Sequence, residues 1–231
     1  MRPVGFLTAS RLVAAKDLRL EWQTWETLSS SVVFCLIVLV IFNFAFGAEA
    51  SSEFGVARLV PGVLWTLLAF AAVVAMARSS ELERRGDTLA AMLLAPIDRG
   101  AMFTGKVVAN LVKLTLLEIV IVPLAAVVFN FDLFAVAAPL LGVLVLHTVG
   151  ITLLGTMFAA IVARVGRGEA LLATLLFPAS TPLFISAVKC TAELLETGSL
   201  DGVSRWLLLS AGFDGLYLTL GMIIFEFVLE D

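Results

Sequence analysis

An all-α integral membrane protein, six transmembrane helices preceded by an amphipathic interfacial helix, is the fold class this sequence predicts. Three observations lead to it. Thr27 to Ala48, Leu59 to Ala77, Leu133 to Ala163 and Ala170 to Val188 contain no Asp, Glu, Lys or Arg. About 20 apolar residues, rising 1.5 Å each, cross a hydrocarbon core of about 30 Å as a helix, so each stretch is about long enough. The composition agrees, with 61% hydrophobic and 15% charged residues in a chain of 231, against about 45–50% and about 25% in soluble domains. Finally, no segment alternates polar with apolar residues as a barrel strand does, and in lipid the backbone must satisfy its own hydrogen bonds.

Residues 1–28 precede the first span. Leu18, Trp22 and Trp25 share one helical face, and Lys16, Arg19, Gln23 and Glu26 share the opposite one. Indoles on one side and charge on the other suit a helix lying in the membrane interface. No cleaved signal is expected, because a mixed-charge segment precedes the first apolar run. Six spans follow, at 29–47, 59–77, 106–129, 134–163, 170–188 and 206–228. One bundle uses up the length, so no soluble domain is expected beside it. Asn130 to Asp132 reads as a tight turn. Lys189 to Glu196 reads as a short outer helix ended by Gly198. Pro178 and Pro182 each remove a backbone donor and should kink the fifth span, as a hinge or as a static bend. Cys35 and Cys190 form no motif, and Cys35 reads as packing.

An even number of spans puts both termini on one side. That side carries Arg2, Arg11, Lys16, Arg19, Arg78, Arg84, Arg85, Arg99, Lys106, Arg164 and Arg167, and the other only Arg58, Lys189 and Arg205. Eleven basic residues against three place both termini in the cytoplasm. The net charge of −4 says little beside this distribution, and no nucleic-acid partner is expected.

The segment from Arg78 to Gly105 is then a cytoplasmic loop. Asp87 can cap a helix beginning at Thr88. Leu89, Met92 and Leu93 give that helix an apolar face, and Pro96 stops it. Such an element is suited to dock in a groove of a cytosolic partner; equally, it can lie flat on the membrane or on its own bundle.

The stretch GDTLAAMLLAPIDRGAMFTGKVVANL resembles the first cytoplasmic loop of the permease subunit of the cytochrome c maturation ABC transporter, the heme exporter protein B family. LVPGVLW (Leu59 to Trp65) resembles the opening of that family's second span, FPASTPLFISAV (Phe177 to Val188) its proline-paired fifth span, and FEFVLED (Phe225 to Asp231) the C-terminus of some members. The resemblance covers essentially the whole chain. It implies an ABC-2-like permease in a bacterial inner membrane. It also implies, as partners, a cytosolic ATP-binding subunit, a heme-handling membrane subunit, a small single-span subunit, a periplasmic heme chaperone and membrane lipid. It further implies that ATP hydrolysis in the partner drives heme delivery or release of the heme-loaded chaperone, with Asp87, Thr88, Leu89, Met92, Leu93 and Pro96 forming the ATPase-coupling loop. No cofactor is expected on this chain; ATP belongs to the partner and heme to the wider complex. The runner-up is an ABC-2 type exporter permease for lipid, drug or polysaccharide.

The motifs point away from catalysis. Gly100 to Lys106 (GAMFTGK) mimics a phosphate-binding loop, but Val107 stands where a Ser or Thr must reach magnesium. Lys106 reads instead as an interfacial anchor. The sequence has no C-x-x-C-H, no H-E-x-x-H and no G-x-S-x-G. A membrane enzyme and a pure scaffold are the remaining classes.

Polar residues inside the spans need partners or water, since a charge at a helix centre costs about 2.5–3.5 kcal/mol. Lys106, Asn110 and Lys113 form one stripe, and Lys113 is expected to snorkel. Glu118 lies 14 residues before Asp132, and His147, the only histidine, 15 after it. Equal depth makes them a candidate hydrogen-bonded pair, either structural or serving proton coupling or heme ligation. Asp214 should point inward or meet outer-leaflet water.

Overall fold

The computed structural model describes residues 5–85, 97–165 and 169–228. Seven helices are found among them: α1 (Phe6–Thr24), α2 (Glu26–Phe54), α3 (Val56–Arg85), α4 (Arg99–Phe129), α5 (Leu133–Val165), α6 (Glu169–Thr197) and α7 (Ser204–Val228), with a 3-10 turn at Asp201–Val203. The described residues contain no strand. The six helices after α1 are long and apolar enough to cross a membrane. Successive spans run in opposite directions, so α1, the end of α3 and the start of α4 share one end of the bundle. This is the end rich in basic residues.

The helix boundaries follow local chemistry and correct several expectations. The proposed coupling residues Asp87, Thr88, Leu89, Met92, Leu93 and Pro96 lie outside the described residues. The loop containing them is shorter than the sequence suggested, because α3 continues to Arg85 and α4 starts at Arg99. Asp98 supplies the start of α4, its carboxylate accepting from the Ala101 N–H at 2.9 Å. At the opposite end Asn130 takes a left-handed conformation (φ 53°) and Asp132 accepts from the Phe134 and Ala135 N–H groups. That is the expected tight turn.

No separate outer helix follows the fifth span. Residues 189–197 continue α6 unbroken, and Gly198 ends it at φ +73°, with its N–H returning to the Leu194 carbonyl. Pro178 and Pro182 both lie inside α6, which runs through them as one helix. Between them the Ala179 carbonyl accepts from the Tyr217 hydroxyl of α7 at 2.8 Å. That brace ties the donor-poor stretch of α6 to its neighbour. Tyr217→Phe is expected to lower unfolding stability by about 1 kcal/mol in detergent-denaturant titration; an unchanged midpoint would remove the brace.

The N-terminal helix packs differently from the two-faced pattern. Its buried face is a third one: Ala9, Ser10, Val13, Ala14, Asp17 and Glu21. Small side chains let α1 lie close against α4, where a Cβ on Gly105 would come within 2.6 Å of the Ser10 carbonyl oxygen and 2.7 Å of the Val13 Cβ. Trp22 and Trp25 stay half exposed and meet edge to face at 5.1 Å. Trp25 is not on the helix but at the corner into α2, left-handed at φ 51°. It offers no capping oxygen, so Glu21 reaches across to accept from the Leu28 N–H at 3.2 Å. A buried carboxylate thereby caps α2, where negative charge is favoured.

The core is continuous through α3, which is buried along most of its length, and includes Trp65, Leu67, Met76, Phe103, Ile121, Leu140 and Leu154. Cys35 is fully buried, as expected of a packing residue.

Candidate functional site

Three polar groups of residues interrupt this apolar interior. The first lies at the basic end, where α1 meets α4. Lys106 and Lys113 are 8% and 4% exposed, so neither anchors at the interface nor snorkels. They face the carboxylates of α1 instead: Lys106 is within electrostatic range of Asp17, and Lys113 of Asp17 and Glu21. Asp17 also pairs with Lys16 at 2.9 Å. Asn110, on the same stripe, donates to the Thr156 hydroxyl of α5 at 3.0 Å. Beside Lys113 a cavity of about 10 Å³, lined by Ser31 and Leu117 among others, is of the size that holds one water molecule. The Gly100–Lys106 stretch is helical from its start, with Lys106 turned to α1, so it forms no phosphate-cradling loop.

The second group is Glu118 on α4 with Thr148 on α5, whose hydroxyl donates to the carboxylate. The third lies beside it, toward α3, α6 and α7. His147 is fully buried. Its Nδ1 is 2.8 Å from the Val143 carbonyl, and its Nε2 is 3.1 Å from Ser186 Oγ and 3.0 Å from Ser210 Oγ. Trp65 of α3 packs on the imidazole at 5.3 Å between centroids and donates from Nε1 to the Thr191 hydroxyl at 2.9 Å.

Glu118 and His147 therefore reach the same level without meeting. Depth follows from residue count, but adjacent residues on a helix point about 100° apart. Thr148, not His147, faces α4. With both ring nitrogens engaged and no exposed surface, His147 is not placed to ligate a heme iron in this packing. Asp214 does point inward: its Oδ1 is buried against Gly150 of α5. No cluster of three or more metal-ligating side chains occurs among the described residues.

One feature at the basic end was missed by residue spacing. Phe6, Ile97, Asp98, Arg99, Met222 and Glu226 line a cavity of about 450 Å³ where the chain emerging from residues 86–96 rejoins the bundle. Across it the Arg99 guanidinium donates to the Glu226 carbonyl at 3.2 Å. Sequence gave no hint, because α1, α4 and α7 converge there only in three dimensions.

A family model described as CcmB protein matches residues 8–227. Similar chains include a Heme exporter protein B of Rhodobacter capsulatus, 30% identical over 190 residues that make up 82% of this chain and 83% of the relative. Another, from Pseudomonas aeruginosa, is 26% identical over 209 residues, 90% of this chain and 91% of the relative. A third, from Bradyrhizobium diazoefficiens, is 25% identical over 189 residues, 82% of this chain and 83% of the relative.

Proposed function

Because the chain belongs to the CcmB protein family, we propose that it is the membrane permease subunit of an ABC transporter complex for cytochrome c maturation. In this reading a cytosolic ATP-binding subunit hydrolyses ATP. The present chain converts that cycle into heme delivery, or into release of a heme-loaded periplasmic chaperone, alongside a heme-handling membrane subunit and a small single-span subunit. The basic end of the bundle faces the cytoplasm of a bacterial cell, and the bundle sits in the inner membrane.

The observation that carries this reading is the family model's match over residues 8–227, which take in all six spans, together with heme exporter relatives matching 82–90% of the chain. Local structure supports it. The segment with Asp87, Thr88, Leu89, Met92, Leu93 and Pro96 joins two long helices at the basic end, and the helix after it is capped by Asp98 and held to α7 by Arg99. A partner gripping this segment would act directly on α3 and α4.

The test is co-purification of the membrane protein with its ATP-binding subunit. Leu93→Glu places a charge on the apolar docking face and is expected to reduce capture at least tenfold, as about 1.4 kcal/mol of lost binding would, while membrane insertion is unchanged. Full capture of the variant would count against the docking segment.

A further inference from the structure

The first helix sorts its charges by folding. Its charged side chains are Arg11, Lys16, Asp17, Arg19 and Glu21, a mixture of signs. Both acids are buried and turned towards the lysines of α4. Arg11 and Arg19 are exposed, and Lys16 is partly so while holding Asp17 at 2.9 Å. The outward side of α1 is therefore of one sign, with three cations and no carboxylate. No ion pair to Arg11 or Arg19 is found among the described residues.

That side is also amphipathic. Leu12, Ala15, Lys16, Arg19, Leu20 and Gln23 line a shallow groove of about 430 Å³. Leu12, Lys16, Arg19 and Gln23 recur at helical spacing (i, i+4, i+7, i+11), so cationic, amide and apolar groups share one strip. A guanidinium presents paired N–H donors that match two oxygens of a phosphodiester, and the Gln23 amide adds donors beside it. Leu12 and Leu20 are exposed and offer hydrocarbon contact in the same groove.

The groove lies at the depth of lipid headgroups. The apolar span of α2 begins at Leu28, three residues after Trp25. The half-exposed indoles of Trp22 and Trp25 mark the edge of the hydrocarbon there. Arg19 precedes Trp25 by six residues, about 9 Å along a helix axis and less in depth for an inclined helix. The headgroup layer is about 5–7 Å thick on each side. We propose that the groove on α1 binds the headgroup of an anionic phospholipid, its phosphodiester against Arg19 and Lys16 and its acyl chains against Leu12 and Leu20. Arg11 adds charge further along the helix. Burial of Asp17 and Glu21 is what makes the surface selective, since outward carboxylates would repel the same headgroup. A zwitterionic headgroup brings its own cation and gains little. Only a bilayer around the spans is required; no ATP-binding partner takes part.

The experiment is photo-crosslinking of the full chain in nanodiscs of equal parts phosphatidylglycerol and phosphatidylcholine. A benzophenone amino acid replaces Ala15, which is exposed within the groove, and mass spectrometry identifies the lipid adducts. Phosphatidylglycerol adducts are expected to exceed phosphatidylcholine adducts at least tenfold. Arg19→Gln should lower that ratio about fivefold, the effect of one basic residue at an acidic surface. Arg205→Gln, exposed at the opposite end of the bundle, should leave it unchanged. Sodium chloride should weaken the preference by screening, and inorganic phosphate at the same ionic strength should weaken it no further. A parent ratio near one, or a ratio that Arg19→Gln does not move or that Arg205→Gln lowers equally, would overturn the proposal. Selective competition by phosphate would overturn it in favour of a soluble anion. Protein adducts in place of lipid adducts in native membranes would overturn it in favour of an acidic protein segment.

Discussion

Replacing Lys113 with methionine is expected to destabilise the protein by roughly 1–2 kcal/mol, through loss of the electrostatic attraction between α4 and the carboxylates of α1. Methionine keeps the length and most of the volume of the lysine stem, so packing changes little. What disappears is the positive charge beside Asp17 and Glu21, which are only 8% and 4% exposed. Lys16 still holds Asp17, and Glu21 keeps the Leu28 N–H. Adding Glu21→Gln should recover part of the stability, since glutamine removes one of the carboxylate charges facing Lys113 but keeps an oxygen for the Leu28 N–H. Denaturant titration in mixed micelles reads both variants. A Lys113→Met protein within about 0.5 kcal/mol of the parent, or a double variant no better than the single, would show that the charges on α1 and α4 do not support one another.

The second large effect is steric. Gly105→Val is expected to lift α1 from the bundle, because the atoms a side chain meets first are the Ser10 carbonyl and the Val13 Cβ. Neither can swing aside, so the helix must move. Overpacking of this kind costs about 1–3 kcal/mol. If it is relieved by undocking, the population of the open form rises roughly tenfold to a hundredfold. Maleimide labelling of a cysteine at Ser10, 7% exposed in the docked helix, should accelerate accordingly. The native thiols Cys35 and Cys190 are buried and give a low background. Gly62→Ala, at a position with open space around it, is the control. Equal labelling rates in the Gly105→Val and control proteins would mean that α1 accommodates the side chain in place.

The spans were legible because hydrocarbon imposes a length and forbids charge, and both are written directly in the residues. Side-chain direction around each helix was not. Glu118 and His147 were placed at one depth by counting from Asp132, yet a one-residue offset sends Glu118 to Thr148 and His147 to two serines. The inner face of α1 escaped notice because Ala9, Ser10 and Ala14 are too small to register as an apolar stripe. Their value lies in the close approach they permit. Lys106 and Lys113 looked like interfacial lysines because the acids that receive them sit some ninety residues earlier in the chain. Gly198, which accepts a positive φ, is where α6 stops, as its place after the outer end of the span suggested.

The bond from Arg99 to the last turn of α7 has a mechanical corollary. A helix of 31 residues is a stiff rod of about 46 Å, and here its foot is tied to a second rod by one exposed hydrogen bond. Force applied just ahead of Asp98 would therefore load both at once.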